Sequence, residues 1–161
     1  MSQPIPLPTP RPAFAADPRK LLRSRGLRPT APRLQVLEAL LRHTPADGCL
    51  STEDIYAAIQ REGGSLGVNQ IYTTLASLAD AELIERYRIG IGPALFSPRR
   101  GERMSALLSC RRCQQIKGLR HGGLQSLLGA LAREQGFEAD ETTVVLRGQC
   151  ASCAAAGGHL C

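Results

Sequence analysis

An α+β fold is predicted: an N-terminal winged helix-turn-helix followed by a small C-terminal α/β domain closed by four cysteines. Three observations predict it. Helical apolar periods recur three times between residues 30 and 81 and are followed by two strand-like runs around a Gly-Ile-Gly-Pro turn. Two C-x-x-C pairs, Cys110/Cys113 and Cys150/Cys153, are separated by residues 114–149. That interval itself reads as strand, helix and strand. The chain of 161 residues suits one ordinary domain or two small ones, and a second domain of about 50 residues has a marginal core unless something clamps it.

From the N-terminus, Pro4, Pro6, Pro8, Pro10 and Pro12 remove amide donors at alternate positions and block helix, so residues 1–17 read as a disordered Pro-rich tail. Asp17-Pro18 has the form of a helix N-cap and first-turn proline, opening a short helix over 19–25 that stops at Gly26. A second helix runs over 30–42, with Thr30 as cap and Leu34, Leu37 and Leu41 on one face. Residues 43–50 read as a loop. Ser51 with Asp54 three residues on resembles a capping box and opens a third helix, whose apolar face is Ile55, Ala58 and Ile59 and whose end is Gly63-Gly64.

The fourth helix is expected over 69–81. Ile71, Leu75, Leu78 and Ala79 share its apolar face; Gln70, Tyr72, Thr73, Thr74 and Ser77 lie off it. Strands over 83–89 and 94–96 complete a hairpin. Residues 18–97 are thus the winged-helix domain and 98–104 a linker, since Pro98-Arg99-Arg100-Gly101 breaks both periods. Residues 105–153 form the second domain. Its parts are a strand into Cys110, a continuation over 114–117, a helix with Leu124, Leu127, Leu128 and Leu131 in an i, i+3, i+4, i+7 stripe, and a strand over 142–147. Residues 154–161 read as a flexible tail.

Two residues between thiolates let both sulfurs face one ion, and two such pairs fill a tetrahedral Zn²⁺ shell. Cys110, Cys113, Cys150 and Cys153 are therefore expected to hold one structural zinc per chain. Two redox-active pairs are the competing reading; neither pair clearly precedes a helix in a βαβ unit, as a thioredoxin-type motif does. The N-terminus lacks the charged start and apolar run of a secretion signal, and no apolar stretch approaches membrane-spanning length, so a cytoplasmic protein is expected. Paired cysteines there are more often metal ligands than disulfides.

The net charge is +6, and Lys20 and Lys117 are the only lysines, so the positive charge is mostly arginine. That composition suits nucleic acid, although genome composition can produce the same ratio. In a winged helix-turn-helix the second helix of the motif enters the major groove. Here it carries Asn69, Gln70, Tyr72, Thr73 and Thr74 as base or phosphate contacts. Arg33, and Arg86 or Arg88 in the wing, are expected to grip phosphates of double-stranded DNA. No Ser/His/Asp set, P-loop or open metal site is present, so neither an enzyme nor a small-molecule substrate is expected.

Four motifs resemble those of the ferric-uptake-regulator (Fur) family. They are Gly26-Leu27-Arg28-Pro29-Thr30-Ala31-Pro32-Arg33-Leu34-Gln35-Val36-Leu37; Leu50-Ser51-Thr52-Glu53-Asp54-Ile55-Tyr56; Asn69-Gln70-Ile71-Tyr72; and the two C-x-x-C pairs. The resemblance spans about residues 20–153. It implies a homodimeric bacterial repressor that binds a palindromic operator, pairs its chains through the C-terminal domain, and sets the angle between its DNA-binding domains with a bound effector metal.

The chain departs from the family pattern at its effector site. The family's His-rich run before the first cysteine pair is Arg103-Met104-Ser105-Ala106-Leu107-Leu108-Ser109 here. Ser97 replaces an acidic residue, Cys49 a histidine, Gln125 a glutamate and Thr142 a histidine; Thr73 replaces the arginine after the recognition tyrosine. Three modes of control follow: loss of the regulatory metal, a rebuilt site drawn from Cys49, His43, Glu85, Glu102 and His121, or thiol oxidation. A transition-metal site needs several converging N, S or carboxylate donors. Because the recognition helix lacks Lys and Arg, a zinc-stabilised winged-helix module that binds a partner protein is the alternative to a repressor.

Overall fold

The computed structural model describes residues 17–101, 104–139 and 144–156. The Pro-rich tail over 1–16, Glu102, Thr142, His159 and Cys161 lie outside the described residues.

Helix α1, Pro18–Ser24, starts as its sequence dictates: Asp17 caps it by accepting from the Arg19 amide at 2.9 Å. Asp17 therefore belongs to the fold rather than to the tail. Helix α2, Ala31–His43, has Pro32 in its first turn and buries Val36, Leu37, Ala39 and Leu40. Helix α3, Thr52–Arg61, carries the complete capping box: Ser51 Oγ accepts from the Asp54 amide at 3.1 Å, and Asp54 Oδ2 accepts from the Ser51 amide at 2.9 Å. Its C-terminus closes with Gly63 at φ +79, the left-handed turn that frees the Gly64 amide to reach the Ile59 carbonyl at 2.9 Å. Helix α4, Val68–Asp80, buries Ile71, Thr74, Leu75 and Leu78. It ends in the same motif with a non-glycine residue, Glu82, at φ +55. Arg25 and Arg99 both hold the Glu82 carboxylate, at 3.3 and 2.8 Å, which fixes that turn.

The core of this unit joins Leu22, Leu37, Leu40, Ile55, Ile59, Ile71, Leu75, Leu78 and Phe96 into one cluster. Truncating a fully buried leucine such as Leu37 to alanine costs about 2–5 kcal/mol in such a setting. Strands β2, Ile84–Arg88, and β3, Ala94–Pro98, form the antiparallel wing. A two-residue strand β1, Leu50–Ser51, pairs with β3, giving the sheet order β1-β3-β2. Two expectations are corrected here. Leu50 and Ser51 close the loop as a strand because their backbone completes the β3 edge. Pro98 ends β3 opposite Ile84 instead of opening the linker, and Met104, at the linker's other end, is buried.

The second sheet has the order β5-β4-β6. Strand β4, Ala106–Cys110, pairs antiparallel with β5, Ile116–Leu119, and parallel with β6, Val144–Gly148. The crossover between β5 and β6 contains α5, Gly122–Glu134, which buries none of its residues within the chain. Beyond β6 a short helix α6, Ala151–Ala155, occupies part of the expected tail.

A separate apolar cluster, Tyr87, Leu95, Met104 and Leu107 with Cys49, Ile116 and Val145 against it, joins the wing to the second sheet.

Candidate functional site

The parallel pairing of β4 with β6 sets Cys110 opposite Gly148 and so brings the two cysteine pairs to one end of the sheet. Gln114 turns the first knuckle at φ +60, its amide bonded to the Cys110 carbonyl at 3.0 Å. Cys150 caps α6 and Cys153 lies within it. All four Sγ atoms fall within 4.8 Å of one another, and Cys113 and Cys150 are 3.8 Å apart. A tetrahedral ion with Zn–S bonds of roughly 2.3 Å requires sulfurs about 3.8 Å apart. The donor set therefore fits one ion in a closed shell.

Backbone amides of Cys113, Cys150 and Arg112 lower the Cys110 pKa to about 6, so a thiolate forms there readily. The Cys150 amide lies 3.4 Å from Cys110 Sγ. Hydrogen bonding to Cys150, then burial and the remaining sulfurs, push Cys153 up to about 12: four crowded sulfurs ionise together only when a cation neutralises them. Among the described residues this is the one convergent set of three or more His, Cys, Asp or Glu side chains, and none of the described cysteines is in a disulfide.

Of the expected effector ligands, Cys49 and Glu85 lie within electrostatic reach of each other. Cys49 is pushed up to about 12 by burial and then by the Glu85 charge, leaving a protonated thiol that is not a ready nucleophile. Glu85 is buried and accepts the Tyr87 hydroxyl. Burial, reinforced by that carboxylate, holds the Tyr87 phenol well above its usual pKa. His121 is the exposed N-cap position of α5; its backbone amide and carbonyl both engage Ser105 Oγ at 3.0 Å. His43 faces Glu62 at 2.8 Å on the outside of the winged helix. Among the described residues, Cys49, Glu85, His121 and His43 form no group of three that could hold a metal, and Glu102, the fifth residue of the rebuilt-site expectation, lies outside the described residues.

On α4 the buried arc of Ile71, Thr74, Leu75 and Leu78 turns the opposite face to solvent. Asn69, Gln70, Tyr72 and Thr73 are exposed together, with Tyr72 at 51%. Thr73 Oγ1 donates to the Asn69 carbonyl at 2.5 Å, which keeps its lone pairs and methyl group available. Thr74 is a correction: it is buried and its hydroxyl donates to the Gln70 carbonyl at 2.7 Å, so it is a core position. Arg86 and Arg88 alternate outward along β2. Arg33 is half-buried and its guanidinium is engaged within the chain, donating to the Arg28 carbonyl at 3.1 Å and to Ser77 Oγ on α4 at 3.2 Å. It ties the start of α2 to α4.

Sequence reasoning missed the residues that join the two units. Arg100 donates to the carbonyls of Thr44 and Ala46 at 3.1 and 3.2 Å, Arg120 pairs with Asp47 at 2.7 Å, and the Met104 amide donates to the Tyr87 hydroxyl at 3.2 Å. Only Tyr87 left a trace, as an inward-facing position in the alternation of β2.

The pattern of the ferric uptake regulator family matches residues 24–147. The ferric uptake regulation protein of Cupriavidus metallidurans is 30% identical over 129 residues, which are 80% of this chain and 88% of that protein. The solved ferric uptake regulator of Vibrio cholerae has a similar fold, with a TM-score of 0.65 at 23% identity over 83% of this chain and 100% of that one. A zinc uptake regulator solved in complex with zinc and DNA has the same TM-score, 0.65, at 22% identity over 86% of this chain and 91% of its own. With the winged helix, the second sheet and the four-cysteine cluster in place, the chain belongs to the ferric uptake regulator family of transcriptional regulators.

Proposed function

We propose that this family member is a sequence-specific repressor that acts in the cytoplasm as a homodimer on a palindromic DNA operator, with one structural Zn²⁺ per chain held by Cys110, Cys113, Cys150 and Cys153. The observation that carries the reading is the outward face of α4. Asn69 and Gln70 offer amides suited to adenine edges. The Tyr72 ring and the Thr73 methyl suit thymine methyl groups. Arg86 and Arg88 in the wing supply the phosphate contacts that fix register. The similar fold of a zinc uptake regulator bound to zinc and DNA supports the same use of these elements.

Residues 18–98 act as the DNA-binding unit and 105–153 as the pairing unit. Support for pairing comes from α5 and β6, where Leu127, Leu131 and Leu146 stand 55, 48 and 53% exposed in the single chain. An apolar face of this kind is completed by a second copy, and two-fold symmetry then sets two recognition helices on two half-sites of a palindrome. Zinc closes the four-thiolate shell and carries no chemistry beyond holding β4, β6 and α6 in register. No described helix is long and apolar enough to cross a membrane.

Footprinting on the promoter region of the protein's own gene tests the reading. Protection of a symmetric site at modest salt is expected. Absence of any protected palindrome, with the protein zinc-loaded and dimeric, overturns it in favour of a protein-binding winged helix.

A further inference from the structure

The resemblance implies an effector metal between the winged helix and the C-terminal unit, and the residues at that place do not fit one. Ser105, Ala106 and Leu107 stand where the His-rich run is expected, and all three are buried. Ala106 and Leu107 have no donor atom. The Ser105 hydroxyl is spent on the His121 backbone, and Ser97 offers a neutral hydroxyl where an acidic residue is expected. Borderline transition metals need imidazole, thiolate or carboxylate groups that converge, and none do so here among the described residues.

Protein groups fill the same joint. The Tyr87 hydroxyl donates to the Glu85 carboxylate on its own strand and accepts from the Met104 amide at the exit of the linker, at 3.2 Å. The Met104 side chain lies over Gly118 of β5: a Cβ there would stand 2.1 Å from the sulfur, so any side chain at 118 must displace Met104. The Gly118 amide in turn donates to the Asp47 carbonyl at 2.5 Å, beside the Asp47–Arg120 ion pair. The chain of contacts thus runs from the wing through Tyr87, Met104 and Gly118 to the loop after α2.

We infer that a latch made only of protein groups, centred on Tyr87, Met104 and Gly118, takes the place of the regulatory metal and holds the winged helix against the C-terminal unit in its operator-binding arrangement. This rests on the family reading of where the effector belongs. It makes the regulator insensitive to metal supply at this joint: a ligand shifts an equilibrium only by its differential affinity for two states, and among the described residues no three donors converge there to supply that difference.

The test uses the full-length, zinc-loaded dimer, with Tyr87→Phe and Gly118→Ala as variants and Mn²⁺ or Fe²⁺ as the added metal. Amide hydrogen exchange at Met104 and Gly118 is measured with operator affinity. In the wild type, added metal is expected to change both by less than about twofold. Tyr87→Phe is expected to speed exchange at Met104 by about tenfold or more and to weaken operator binding, with zinc content and protection of α2 and α3 retained; Gly118→Ala should do the same by displacing Met104. A tenfold effect of added metal on either readout overturns the latch, as does unchanged Met104 exchange in both variants. If no operator is bound under any condition, the repressor reading fails, while the exchange rates still decide the latch.

Discussion

Asp47 and Arg120 form an ion pair at 2.7 Å that ties the loop after α2 to the end of β5. The arginine side chain is 19% exposed and the aspartate 53%, so solvent screens the pair on one side only. Arg120→Ala is expected to cost about 0.5–1 kcal/mol in thermal unfolding. It should also speed exchange of the Gly118 amide, whose acceptor is the Asp47 carbonyl. An unchanged Gly118 amide would place the pair outside the joint.

Arg33 is expected to act on DNA binding through α4. Its guanidinium bridges the Arg28 carbonyl and Ser77 Oγ, so Arg33→Met should loosen the recognition helix and weaken operator binding by about tenfold. The slope of log K against log salt should stay as in the wild type. Loss of a phosphate contact would instead reduce that slope by about 1.

Cys113→Ser removes one of four sulfurs that lie within 4.8 Å of one another. Purified wild type should carry one zinc per chain, and the variant should lose both zinc and dimer, because metal affinity here is folding free energy. Atomic absorption with sedimentation reads both. A stable, metal-free dimer would contradict the structural role.

Glu62 receives His43 and Arg42, each at 2.8 Å, from the last turn of α2. The His43 hydrogen bond, aided by the Arg42 hydrogen bond and the charge of both, holds the Glu62 pKa below its usual 4.5. A depressed folded-state pKa stabilises above the unfolded value, and the contribution is lost as pH falls through the folded one. Thermal stability of the wild type should therefore drop more steeply below pH 4.5 than that of Glu62→Gln. The difference should stay under about 1 kcal/mol, since the carboxylate is a third exposed.

What the sequence made legible was local. Ser51 and Asp54 are three residues apart and form their capping box; the C-x-x-C spacings meet; Ile71, Leu75 and Leu78 point inward at helical period. What escaped was either short or distant. Strand β1 has two residues and exists only because β3 offers an edge. Thr74 hides because a threonine hydroxyl can satisfy itself on the carbonyl one turn back, so a polar residue can join a buried arc. Arg33 reads as a phosphate contact and Arg120 carries no signal in the sequence, because their partners, Ser77 and Asp47, lie 44 and 73 residues away and leave no periodic mark. The leucine stripe of α5 reads as an amphipathic face, yet none of its residues is fully buried among the described residues.

The central claim is sequence-specific binding of DNA by the α4 face, and the most direct measurement is a specificity ratio. Fluorescence anisotropy of the zinc-loaded dimer should be run against its footprinted operator and a scrambled duplex of equal length, at one salt concentration near physiological and with no added metal. The operator is expected to bind about 10³-fold or more tightly. Tyr72→Ala should lower that ratio by about tenfold or more while leaving affinity for the scrambled duplex unchanged. A ratio near one for the wild type would contradict the account.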